Sequence, residues 1–153
     1  MNESSASKNK LDKRLGPRLV VSVLGLVIFI LGLNPGMFGL DRSPVVGFVQ
    51  IAVFLVGLAI ICLGGYLTLT ALWDGQEKSI AADIGYRLVA TGYVVAFASG
   101  MADVFGFGSQ PYPNTPYFGQ WQALGVMVGE LFIIAGFILM IPRPQKNQPG
   151  LRV

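Results

Sequence analysis

The chain has 153 residues, of which 53% are hydrophobic and 12% charged, with a net charge of +3. Ordinary globular domains carry roughly one-quarter charged residues, so this balance calls for lipid around the fold rather than water. The positive charges are spread over two tails and short loops without interleaved aromatic side chains, which excludes a nucleic-acid reader. One cysteine, Cys62, and no histidine exclude zinc, iron–sulfur and His-based catalytic sites, and no metal or cofactor is expected.

Four apolar segments follow one another, each near or above the roughly 20 residues needed to cross a hydrocarbon core. They span about 18–40, 45–73, 79–104 and 118–141, and predict an all-α integral membrane four-helix bundle with short loops and both termini on one side. Residues 1–17 and 142–153 are polar and rich in helix breakers, and read as flexible basic tails.

The first span opens at Pro17, a residue suited to a first helical turn, and meets "NPGM" at 34–37, where Pro35 kinks or ends the helix. A basic stretch before an apolar run also fits a signal peptide. The Asn34 to Met37 region has no small-x-small cleavage pattern, so a retained signal anchor is expected. The second span is long enough to tilt or protrude, and Trp73 is expected at its interface end. "WDGQEKS" then makes a tight hairpin turn, with Asp74-Gly75 as its turn signal and Ser79 as N-cap of the third span.

Between the third and fourth spans, "FGFGSQPYPNTPYFGQW" at 105–121 combines Pro111, Pro113 and Pro116 with several aromatics and no charge. It reads as an interfacial belt or, alternatively, as a lid or docking surface. Asn114 is not a glycosylation acceptor, because Pro116 stands where Ser or Thr is needed.

Lys8, Lys10, Lys13, Arg14, Arg18, Lys78, Arg143, Lys146 and Arg152 fall on one side of this layout, and only Arg42 on the other. By the positive-inside rule both termini are expected to be cytoplasmic, in the cell membrane.

Helices in lipid associate through small residues that let backbones approach. Gly92, Ala96 and Gly100 form such a stripe in the third span, with Gly85 two turns earlier, and Gly125, Gly129 and Gly136 form another in the fourth. Gly25 and Gly32, and Gly57 and Gly64, repeat a seven-residue interval. These stripes are expected to pack the bundle, or alternatively to form a dimer face.

The third span carries Asp83 and Arg87 at i and i+4, in the acid-then-base order that suits a helix. Glu130 lies near the middle of the fourth span, where a charge costs about 2.5–3.5 kcal/mol and normally faces a protein partner or a wet cavity. The expectation is one buried cluster of Asp83, Arg87 and Glu130, completed by Tyr66 and Thr91. It is either an ion-pair clamp that sets helix register or a proton- or ion-carrying site. At the opposite end Arg42 and Asp103 are expected as a solvated interfacial pair, joined by Gln50, Gln120 and Gln122.

The four-span size and the "RLVVSVLG" entry at 18–25 resemble the DoxX-like membrane proteins. That resemblance covers the layout and the Arg18-Leu19 entry, and it implies a membrane redox subunit. Where that family is expected to have a lysine after the glycine ending its first span, this chain has Asn34-Pro35, so no functional residue is carried across. Small multidrug transporters share the size and layout, but their membrane glutamate lies in the first helix, which here has no acid.

No phosphate-binding loop, catalytic carboxylate pair or nucleophile elbow is present, which makes an enzyme the least favoured class. The reading that fits best is a non-catalytic subunit or partner of a membrane assembly. The alternative is a small oligomeric transporter or channel in which Glu130 is the working carboxylate. The partners expected are the bilayer and either further copies of the chain or other membrane subunits.

Overall fold

A computed structural model of the chain describes residues 3–40, 47–73, 76–108 and 118–142, with side chains from residue 15 onward. Four helices, α1 (Glu3–Leu33), α2 (Phe48–Leu72), α3 (Ile80–Gly100) and α4 (Gln120–Met140), make up the fold, with a short 3-10 turn at Pro35–Phe38. Each holds a stretch long and apolar enough to span a bilayer, starting at Leu15 in α1. The chain is therefore a small multi-span membrane protein of the expected all-α class.

The helix ends follow from local chemistry. Pro35 cannot continue α1, and the chain leaves through the 3-10 turn and Gly39, whose φ of 67° is the left-handed conformation glycine tolerates best. Ser79 caps α3 as expected, its hydroxyl accepting from the Ala82 N–H at 3.2 Å. At the start of α4 the Gln122 amide oxygen accepts from the Gly119 N–H at 2.6 Å. In α2, Thr68 and Thr70 hydroxyls donate back to the carbonyls of Gly64 and Tyr66 at 2.8 and 2.7 Å, so neither is unsatisfied in lipid.

Two expectations change. Helix α1 begins at Glu3, so much of the first tail is helical, and Pro17 lies inside the helix instead of opening it. The run from Lys8 to Leu15 holds three Lys, two Leu and Arg14, which favour helix, and Pro17 removes a single N–H donor. Trp73 does mark the end of α2, but it is only 7% exposed. Its indole N–H donates to the Met140 carbonyl at 3.0 Å, pinning the ends of α2 and α4 together. The Asp74-Gly75 turn, the proline-rich centre of the 105–121 loop and the second tail beyond Pro142 lie outside the described residues.

The helices pack as two close hairpins, α1 with α2 and α3 with α4, which meet each other over a much smaller surface. Glycine explains the closeness. A Cβ on Gly92 would stand 2.5 Å from the Gly129 carbonyl and one on Gly129 would stand 2.5 Å from the Gly92 carbonyl, while Gly85 and Gly136 face each other in the same way at 2.6 Å. In the first hairpin Gly57 lies against the Phe29 backbone and Gly32 against that of Phe54. The stripes read from sequence thus lie inside the molecule, and Gly100, also buried, turns toward Leu55 and Ile51 of α2 instead of toward α4.

Between the hairpins, a core of Leu58, Val89, Ala96, Ile133 and Met140 is sealed by Phe137, whose ring lies over Gly65. The outer surface is apolar, with Val20, Val56, Val94 and Leu131 more than half exposed, as a lipid-facing shell requires. Arg18 donates to the Leu67 carbonyl at 3.2 Å, which sets the start of the apolar part of α1 beside the end of α2. That contact and the Trp73 anchor place the N-terminal end of the first span, the α2–α3 turn and the end of α4 at one end of the bundle.

Candidate functional site

Asp83 and Arg87 pair as their spacing predicts, with Oδ2 and an Arg87 guanidinium nitrogen 3.0 Å apart. Their side chains are 57% and 76% exposed. The packed face of α3 is Ala82, Gly85, Val89, Gly92 and Ala96, and positions 83, 87 and 91 lie off it. Thr91 is accordingly exposed as well. The expected single buried cluster is therefore not assembled. Asp83, Arg87 and Thr91 form a polar ridge on the outside of the bundle, and a pair within one exposed helix face fixes no helix register.

Glu130 sits elsewhere. It is half-buried on α4 and lines a partly open cavity of about 250 Å³ to which all four helices contribute. Gly32 of α1, Gln50, Ile51 and Phe54 of α2, and Gly100 of α3 form one side, and Ala123, Val126, Met127 and Phe118 form the other. Gly32 and Gly100 belong to the cavity lining although each also packs closely on α2, Gly32 against the Phe54 backbone and Gly100 beside Leu55 and Ile51. Among the described residues Glu130 has no ion-pair partner. The walls are overwhelmingly apolar, with Glu130 and Gln50 as their polar groups. Gln50, expected in the outer interfacial set, lines the same cavity as Glu130.

Tyr66 also departs from Glu130. It belongs to a second cleft of about 300 Å³ between α2 and α3, lined by Cys62, Tyr86, Tyr93 and Met140 among others. The Tyr66 and Tyr86 rings are 5.1 Å apart, and the Lys78 ammonium stands 5.5 Å above the Tyr66 ring, a cation–π arrangement. Sequence spacing offers only a weak signal for this group, since Tyr86 and Tyr93 stand seven residues apart in α3 and so share a face.

At the loop end Asp103 is 7% exposed and Gln122 5% exposed. The expected solvated pair is not what the structure holds for Asp103; it lies beneath the turn that ends α3, where a side chain on Gly108 would fall on its carboxylate. Both carboxylate oxygens and the Gln122 amide nitrogen lack hydrogen-bond partners among the described residues. Gln120 is exposed. Arg42 lies outside the described residues.

No family model, curated protein or solved structure matches the chain.

Proposed function

We propose that the chain is a non-catalytic subunit of a membrane assembly and that it joins its neighbours through the outward face of α3. The observation that carries this reading is the exposed Asp83, Arg87 and Thr91 ridge on a shell that is otherwise apolar. Charged groups inside a span normally face protein or a watery cavity. Arg87 lies about 11 Å along α3 from Ile80 at 1.5 Å per residue, roughly a third of the way across a ~30 Å core. Pairing with Asp83 lowers the cost of that position, and a neighbouring helix offering hydroxyl, amide or carboxylate groups lowers it further.

In this reading the membrane is the cell membrane and both termini are cytoplasmic, which the Lys and Arg distribution supports. The partner is another membrane subunit. The test is cysteine cross-linking in native membranes from Thr91→Cys, in a Cys62→Ala background. A specific heterologous adduct is expected from position 91 and none from Leu131→Cys on the lipid face of α4. No adduct at either position refutes the reading.

A second reading, a small oligomeric transporter that uses Glu130 as its carboxylate, is favoured by the cavity around that residue. Its test is flux in proteoliposomes, lost in Glu130→Gln if the reading holds and intact if it does not.

A further inference from the structure

The cavity around Glu130 combines three properties rarely found together inside a span: an apolar wall, a carboxylate without an ionic partner among the described residues, and an opening between two hairpins. A lipid acyl chain would satisfy the wall and leave the charge uncompensated. A divalent metal ion would satisfy the charge, but calcium takes six to eight oxygen ligands and magnesium an octahedron of them. One carboxylate and the Gln50 amide supply too few.

The geometry points to a binding site for a small organic cation with an apolar body, the ammonium set against Glu130 and the body against Phe54, Ile51 and Val126. Charge complementarity selects the head group, since a carboxylate in an apolar surround attracts a cation far more strongly than one in water. The volume selects the size: about 250 Å³ lies just below the roughly 300 Å³ at which sites for drug-sized ligands begin. Ligands with one ring or a short alkyl group fill this volume, and a larger one must extend through the opening. Gln50 stands on the wall from α2 and offers an amide to any hydroxyl or carbonyl the ligand carries. The site holds its ligand whether or not the ligand crosses the membrane, and it lies apart from the α3 ridge proposed for assembly.

The test is equilibrium dialysis of radiolabelled benzyltrimethylammonium against the full chain in zwitterionic-lipid nanodiscs, with empty nanodiscs as the blank. This probe is a permanent cation of suitable bulk, and neopentylbenzene has the same shape without the charge. Saturable binding is expected, weakened at least ten-fold by Glu130→Gln, abolished by Ala123→Phe with the charge intact, and unchanged by Asp83→Asn. Absence of saturable binding overturns the assignment. So does wild-type affinity in Glu130→Gln, or displacement by neopentylbenzene as effective as by the unlabelled cation, which would make the cavity an acyl-chain slot.

Discussion

Replacing Gly129 with leucine puts four carbons where the α3–α4 seam has room for none. The first of them, the Cβ, would stand 2.5 Å from the Gly92 carbonyl oxygen, 2.6 Å from the Ala96 nitrogen and 2.8 Å from the Ala96 Cβ, whereas ordinary contact starts at 3.4 Å. The helices must separate by nearly 1 Å to admit it. Opening a packed seam by that amount forfeits a quarter to a half of each affected van der Waals contact, and in lipid there is little hydrophobic gain to compensate. Overpacking typically costs about 1–3 kcal/mol, and a full leucine side chain at the closest approach belongs at the top of that range. A loss of about 3 kcal/mol shifts the unfolding equilibrium by roughly 150-fold. Reversible unfolding of the purified protein, followed by steric trapping in bicelles, reads this directly. Gly16→Leu is the control, because nothing lies within 4 Å of the site, and its effect is expected within about 0.5 kcal/mol. If Gly129→Leu costs no more than Gly16→Leu, the glycine seam is not what holds α3 against α4.

Other substitutions test separate joints of the fold. Trp73→Phe keeps one aromatic ring but removes both the donor to the Met140 carbonyl and the buried pyrrole part of the indole, and is expected to cost about 1–3 kcal/mol in the same unfolding assay; no change would mean that the α2–α4 contact does not anchor the helix ends. Ser79→Ala removes the α3 cap and is expected to cost about 1 kcal/mol, seen as faster amide exchange in the first turn of α3 than in its centre. Asp103→Asn removes a buried negative charge that has no partner among the described residues, so a rise of about 1–3 kcal/mol in stability is expected. A fall would show that the carboxylate is not an unpaired charge.

Much of the architecture is legible from residues alone. The spans stand out because each is an uninterrupted apolar run, and the Ser79 boundary because a hydroxyl before a helix has a specific donor to satisfy. The glycine seams are legible because only small residues allow helices in lipid to touch along their backbones. What periodicity does not supply is direction. Spacing puts Asp83, Arg87 and Thr91 on one face but does not say which way it points. The similar depth of Arg87 and Glu130 suggests an inward face. Depth is shared by every residue around a helix, and the packed face of α3 was already taken by Gly85, Gly92 and Ala96, whose small side chains are the stronger determinant. The burial of Asp103 was equally illegible, since it depends on the turn after Gly100 folding back until Gly108 covers the carboxylate. The cavity at Glu130 is lined by residues from four different helices, which no single-helix pattern connects.

If the chain belongs to a larger membrane assembly joined through α3, its partners leave the membrane with it. The most direct measurement is native mass spectrometry of the tagged protein released gently from its own membranes, alongside an Arg87→Leu variant of unchanged fold. Membership of such an assembly predicts stoichiometric foreign subunits with the wild-type chain and their loss from the variant. Recovery of the wild-type chain alone, as a monomer or as a uniform homo-oligomer, would contradict it.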